Sequence, residues 1–467
     1  MKSINLPLIA SLVFFAEFLT ASPLSPAVGH LAQAIRYQTV SYQDTSTIDY
    51  SVFSAFHQFL RDTYPTTFSR LQVEVVGDYS LLLSWPGTQA ELKPVLLDAH
   101  YDVVPVEPGT ETDWTQLPFA GVIADGYIWG RGALDDKSAV IATLEAIEAL
   151  LASGYQPQRS LLFSIVHDEE IGGNEGAAKV AAHLKARGVT LQYMVGEGGM
   201  VVTQSPLLPN KPLAMVSLAE KTYVTLTLKT SGAGGHSSRP VADNAIIHLS
   251  QAVTRLHEAP FAPELIAPVS DMLAVLGEEI DGVKGFLMRN QWFSAPLLAY
   301  GMGKDSASQG MVRNTTAVTM FNAGIKENVI PQQAEAKVNF RLLPGFTPAQ
   351  LIAAVKTIID DPAIEISASD WKTNPPVADI NGPGYQRIKA AINSVLPNAL
   401  VTPGLLTAST DTPHYVGLTE NIYRFHPFTV QMEDSSSVHG TNERIAIEAM
   451  VTAVALSKAL ISEVGRR

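Results

Sequence analysis

A chain of 467 residues is longer than one hydrophobic core ordinarily supports, so two domains are expected. Apolar content of 46% rules out a disordered chain, and 45 acidic against 32 basic residues (net charge −13) argues against a nucleic-acid partner, which needs clustered positive charge. With no cysteine, disulfides and thiolate metal sites are excluded, so any metal must be held by His, Asp and Glu.

Residues 1–22 read as an export signal: Lys2 gives the positive start, Leu6–Phe15 the apolar run and Thr20-Ala21-Ser22 a small-residue exit. The run is short for a membrane span of about 20 residues, which makes an uncleaved anchor the second choice. A periplasmic or secreted protein is expected, touching a membrane only through this segment if it is retained. Apolar residues at three- and four-residue spacing then predict helix from about Leu31 to Tyr64, broken by a Ser/Thr-rich turn. Strands follow at LQVEVV and YSLLLSW, and Pro94–Leu97 should be a central strand that delivers His100 and Asp102 at its carboxyl end. Ligands of open α/β sheets gather at that end. A carboxylate two residues after a histidine can also fix the tautomer of a ligating imidazole.

Asp135 and Asp136 precede an amphipathic helix of about Lys137–Leu151, where helix capping alone would account for them. The run Leu161–Val166 is continuously apolar, as a buried strand is, and ends in Asp168-Glu169-Glu170. Adjacent carboxylates repel unless a cation intervenes or one takes up a proton. A solvated acidic turn is the plain alternative. A division of labour, one glutamate on a metal and its neighbour as general base, also meets the cost. A helix near Glu175–Arg187 leads to the strand LQYMVGEGG, which ends in Glu197 among glycines. Three β-type units in series thus end in His or acidic residues.

From about Ser217 the pattern changes. Alternating strands (YVTLTLK, AVTMFNAGI, EAKVNFRLLP), helices at Asn244–His257 and Pro348–Asp360 and a strand at Ile364–Ser367 give a β-α-β-β-α-β order, the ferredoxin-like arrangement. A less regular stretch is expected between Pro260 and Met311. The expected fold is α/β: a catalytic domain in two parts (30–216 and 373–467), with its sheet flanked by helices, and an inserted α+β domain at 217–372.

His100, Asp135, Glu170, Glu197 and His439 are then the candidate metal ligands. Two imidazoles and three carboxylates without sulfur suit zinc in an open site, with manganese or cobalt as substitutes. Five groups are too many for one open zinc, but they suit a pair if a carboxylate, most naturally Asp135, bridges.

The motifs AHYDVVPV, GRGALDDK, HDEEIGG, GEGG, GAGGHSSRP and SSVHGTNERI resemble, in order and spacing, the aminoacylase/carboxypeptidase family of co-catalytic zinc metallohydrolases. NVIPQQAEAKVNFRLLPG and TENIYRFHPF are similar to its carboxypeptidase S branch, which also includes hydrolases and synthases of N-fatty-acyl amino acids. The resemblance implies a zinc-peptidase-like central mixed sheet with a ferredoxin-like lid that forms a homodimer. It implies two zinc ions, one on His100 and Glu197, the other on Glu170 and His439, bridged by Asp135, with a cis Asp135–Asp136 peptide. Asp102 would support His100, and Glu169 would move a proton from water to the departing amine. His236 would donate to the developing oxyanion, in several relatives from the partner subunit. Arg341 would hold the substrate's free carboxylate, and Asn328 matches a position near the substrate.

The implied reaction is cleavage of a peptide or N-acyl amide to release a carboxyl-terminal amino acid. Family peptidases commonly have Asp where this chain has Glu197, and deacylases commonly have Glu, so a deacylase is the alternative. A metal-dependent phosphohydrolase would need cations near the acids, and only Arg131 and Lys137 are close in sequence. An inactive homologue should have lost a ligand or the base. The other eight histidines are read as structural or surface groups, with His414 and His426 as secondary candidates for the pocket wall. Asn314-Thr315-Thr316 is a glycosylation sequon in a eukaryotic secretory host.

Overall fold

The computed structural model describes residues 25–369 and 376–467. The export-signal expectation at residues 1–22 lies outside the described residues. Among the described residues no helix is long and apolar enough to cross a membrane.

The larger sheet is mixed. Its order runs Gln72–Val76, Ser80–Trp85, Leu161–Val166, Val95–His100, Tyr193–Gly196, Ile422–Arg424, Leu213–Glu220, with Leu400–Leu406 pairing in parallel on Leu213–Glu220. Leu161–Val166, Val95–His100, Tyr193–Gly196 and Ile422–Arg424 are mutually parallel. Every residue of Leu161–Val166 is buried, because both faces of the sheet are covered, which is why it reads as an unbroken apolar run. Leu161, Phe163 and Ile165 face a core built with helices Pro26–Ile35, Lys137–Ala152, Pro383–Val395 and Ile447–Val464. Leu162 and Val166 face the opposite layer, which contains helix Ala177–Ala186.

A second, four-stranded antiparallel sheet has the order Thr315–Ala323, Gln333–Leu342, Thr222–Ser231, Glu365–Ala368. Helices Ala245–Glu258 and Pro348–Ile359 pack on one face, so alternate residues such as Val224, Leu226 and Leu228 are buried. Together these elements follow the expected β-α-β-β-α-β sequence.

One expectation needs correction. The stretch from Pro260 to Met311 is helical, with helices at Ala267–Glu279, Gly282–Arg289, Gln291–Lys304 and Gln309–Val312. Apolar residues lie on both sides of these helices and Pro296 sits inside the third, which blurs the 3.6-residue period. The sequon asparagine is not a free surface group. Asn314 is buried, and its side-chain oxygen accepts from the Leu343 N–H at 2.7 Å.

Candidate metal centre

Three adjacent parallel strands end at one edge of the large sheet, and each brings an acid or imidazole there. Val95–His100 carries His100 as its last residue, Leu161–Val166 leads into Glu169 and Glu170, and Tyr193–Gly196 leads into Glu197. Asp135 stands just before helix Lys137–Ala152, and His439 reaches in from a loop with its backbone in the left-handed region (φ 62°). The sequence placed these two only by chain order; a small antiparallel sheet brings them together. In it Arg444–Ala446 pairs with Tyr127–Trp129, so the segments holding His439 and Asp135 run side by side.

Two clusters share Asp135. His100 Nε2 lies 2.9 Å from Asp135 Oδ1 and 3.5 Å from Glu197 Oε2. His439 Nε2 lies 3.0 Å from Asp135 Oδ2 and 3.2 Å from Glu170 Oε2. In each trio the donor atoms lie within 4.8 Å of one another, the spacing of groups converging on one ion. One oxygen of Asp135 faces each trio, as a bridging carboxylate requires. Glu170 Oε1 is buried with no hydrogen-bond partner.

Electrostatics favour cations here. Burial first, and repulsion from Glu197 next, hold the Glu169 carboxyl well above the usual range. Burial also raises Glu170, to about 7. Hydrogen bonds to Asp135 and Glu170 raise His439 to about 10. Burial raises Asp135, but its bonds to His100 and His439 outweigh that and leave it below the usual range. The donor set thus fits two small divalent cations: a carboxylate-rich, sulfur-free cage with imidazoles on two sides.

Asp102 acts differently from the simple expectation. His100 Nδ1 donates to the Asp102 backbone carbonyl at 3.0 Å, while the nearer carboxylate oxygen is 3.4 Å away. Donation from Nδ1 fixes the tautomer that leaves Nε2 free for a metal. The buried Asp102 carboxylate accepts from Ser41 Oγ (2.7 Å) and from the backbone N–H groups of Glu169 and Glu170 (3.2 Å each). It therefore ties the acidic turn to the histidine strand.

The Asp135–Asp136 peptide is cis. Capping does not explain the pair, because Asp136 makes no side-chain cap to helix Lys137–Ala152. Its carboxylate instead lies 2.8 Å from His426 Nε2, and His426 Nε2 is 4.0 Å from Glu197 Oε2. His426 was a secondary candidate in the sequence. His414, the other, donates from Nε2 to the Gly172 carbonyl at 3.0 Å and does not line the cavity.

Glu443 was missed. It is fully buried, and one oxygen accepts from the N–H groups of Gly132, Leu134 and Asp135 while the other takes Arg131 Nη1 at 2.7 Å. Its place four residues before helix Ile447–Val464, in a polar run, gave no signal. Close backbone approach also matters at Gly199, where a Cβ would meet the Met215 carbonyl oxygen at 2.1 Å.

A cavity of about 400 Å³ opens beside the centre, lined by Glu169, Glu170, His439, Lys221, Tyr223 and Arg341 among others. Arg341 Nη1 donates to Ser409 Oγ at 2.8 Å, and its guanidinium lies 4.6 Å from the Tyr223 ring centre. His236 and Asn328 are not brought to this cavity. They sit together where Gly235–His236 pairs with Val329–Ile330, and His236 is exposed. Arg131 and Lys137 are turned away as well: Arg131 pairs with Glu443, and Lys137 Nζ donates to the carbonyls of Ala34 and Tyr37. No phosphate cradle forms from those two.

The chain is 36% identical over 437 residues to a probable carboxypeptidase S-like protein of Dictyostelium discoideum, covering 92% of this chain and 83% of the relative. It is 39% identical over 431 residues to an N-fatty-acyl-amino acid synthase/hydrolase of Bos taurus, covering 91% and 85%. In fold it is similar to an M20 family metallo-carboxypeptidase from Sulfolobus solfataricus (TM-score 0.70, 17% identity, 95% of this chain and 100% of that one). It is also similar to a Bacillus subtilis protein described as a dinuclear metal binding peptidase (TM-score 0.54, 14% identity, 93% and 98%). Residues 96–463 match peptidase family M20/M25/M40, and the chain belongs to that family of metal-dependent amide hydrolases.

Proposed function

We propose that this protein is a di-zinc hydrolase that cleaves a peptide or N-acyl amide and releases an amino acid with a free carboxylate. The observation that carries this reading is the sharing of Asp135 between two His/acid trios, with Glu169 and Arg341 lining the cavity beside them. His100 and Glu197 would hold one ion, Glu170 and His439 the other, and manganese or cobalt would substitute. When bound, the ions supply Lewis-acid polarisation of the scissile carbonyl.

The chain's own residues supply the rest. Glu169, half-buried on the cavity wall and close to other acids, takes a proton from the attacking water and returns it to the departing amine; such base catalysis typically contributes about 10²–10⁴-fold. Arg341 offers the planar fork that bidentate carboxylate binding needs, pre-oriented by Ser409 and Tyr223. Asp102 keeps His100 in the ligating tautomer. His236, exposed and off its own cavity, acts on the oxyanion of a second subunit, with Asn328 beside it. The exposed edge strand Thr315–Ala323 supports a homodimer made through the lid domain, residues 217–372, inserted between the catalytic parts 30–216 and 373–467. We further propose an exported protein, from the leader-like residues 1–22.

A fatty-acyl rather than peptidyl amide is the second reading. Glu197 in place of aspartate favours it, as does the 39% identity to the N-fatty-acyl-amino acid synthase/hydrolase. The test is a hydrolysis panel of N-acyl amino acids against carboxyl-terminal dipeptides, with and without zinc, each also as its carboxamide. Free-acid substrates should be cleaved and carboxamides not; equal cleavage of both would overturn the role of Arg341.

A further inference from the structure

The least explained surface of the molecule lies on the helical pair Gly282–Arg289 and Gln291–Lys304. Trp292 is 85% exposed and Val283 75%, with Phe286, Phe293, Leu297 and Tyr300 each about half exposed. In the second helix, Phe293, Leu297, Tyr300 and Lys304 follow at spacings of four, three and four, so they form one stripe. Ser294 and Ala299 are buried on the other side. Phe286 and Phe293 (6.1 Å between ring centres) and Trp292 and Phe293 (4.9 Å) join the two helices into one patch. Soluble surfaces rarely leave so many large apolar groups together without a partner.

Charge identifies the partner. The protein carries a net −13, yet residues 282–304 contain Lys284, Arg289 and Lys304 and no acid. Asp281 and Asp305 stand at the ends, Asp305 accepting from Ser308, and of the two acids that close the preceding helix, Glu278 and Glu279, the second pairs with Lys211 at 2.6 Å. Lys284 and Lys304 are exposed; Lys304 Nζ lies 4.5 Å from the Tyr300 ring centre, its stem along the apolar stripe. Aromatic rings with flanking lysines on a helix face are what a lipid headgroup region takes up. We propose that this helical pair seats the protein on an anionic lipid surface.

The seat connects to the cleft. Arg313 Nη2 donates to the Gly303 carbonyl at 2.6 Å, in the last turn of the stripe-bearing helix. Lys221, a wall of the catalytic cavity, donates to the carbonyls of Gly310 and Arg313 at 2.8 and 2.7 Å. A surface bound by the helices therefore lies one short segment from the cavity wall. This inference goes beyond the hydrolase reading, since binding is measured without turnover.

The experiment mixes the full chain with vesicles of phosphatidylglycerol and phosphatidylcholine (1:1) or phosphatidylcholine alone, with a fraction of the acyl chains brominated. Bromolipid should quench tryptophan emission of the wild type more than that of Trp292→Phe, by about one fifth of the signal because Trp292 is one of five tryptophans. Quenching reports where Trp292 lies, so it discriminates even when residues 1–22 also touch the vesicle. Lys284→Gln and Lys304→Gln should each weaken binding to the anionic vesicles by about 5-fold, and not to pure phosphatidylcholine. Equal quenching in wild type and Trp292→Phe would overturn the proposal. So would loss of a dimer in Trp292→Ala/Phe293→Ala by sedimentation velocity without any change in vesicle binding, since the patch would then be covered by a second copy of the chain.

Discussion

Replacing Glu443 with glutamine tests whether the loop before helix Lys137–Ala152 is held from behind by a buried charge. Glutamine keeps one carbonyl oxygen for the N–H groups of Gly132, Leu134 and Asp135. It places an amide NH₂ where the other oxygen met Arg131 Nη1 at 2.7 Å, so two donors face each other. Arg131 is 2% exposed, so its guanidinium is shielded from the bulk solvent that would otherwise compensate for the lost carboxylate. Removing one member of a buried pair costs about 3–5 kcal/mol. Arg131 keeps a hydrogen bond to the His439 carbonyl at 3.1 Å and lies 5.4 Å from the Trp114 ring centre, which places the expected loss near the lower end, about 3 kcal/mol. Urea unfolding of the metal-free protein followed by tryptophan fluorescence measures it. Arg131→Met combined with Glu443→Gln should recover at least about 1 kcal/mol, because no charge is left unpaired. A single variant within 1 kcal/mol of wild type, or strictly additive effects, would refute the reasoning.

Glu169→Gln should retain both metals by elemental analysis and lose about 10²–10⁴-fold in kcat; wild-type-like turnover would remove Glu169 from the chemistry. Asp102→Asn keeps the backbone carbonyl that His100 Nδ1 meets but loses part of the carboxylate's hold on the Glu169 and Glu170 N–H groups, so it should weaken metal binding by about 10-fold, read by chelator competition; unchanged affinity would show that the carboxylate does not hold the acidic turn in place. His57 is held down to about 4, chiefly by burial. The unfolded chain therefore takes up this proton first, and stability falls as pH drops from 6.5 toward 4. At pH 5 the wild type should have lost about 2 kcal/mol more than His57→Gln relative to pH 7.5, and parallel pH profiles would contradict this. If His236 serves a second subunit, mixing inactive His236→Ala and Glu169→Gln subunits should restore about a quarter of wild-type activity, half the dimers being mixed and each mixed dimer having one complete site. No recovery after verified subunit exchange would place His236 elsewhere.

Local pattern was enough to read much of this protein. The unbroken apolar run of Leu161–Val166 announced a strand buried on both faces, and the alternation of Thr222–Ser231 announced one buried on a single face. His100, Glu169, Glu170 and Glu197 were legible because each follows such a strand directly, and parallel neighbours must end at the same edge. Pattern failed where helices were apolar on more than one side, as across residues 267–304, since periodicity then carries no contrast. The meeting of His439 with Asp135 was decided only by tertiary structure, through the pairing of Arg444–Ala446 with Tyr127–Trp129, some three hundred residues apart in the chain. Glu443, Asp136 and His426 belong to the same class. Each gains its meaning from a partner that burial forces on it, and a sequence records which groups are polar but not which of them will be denied water together.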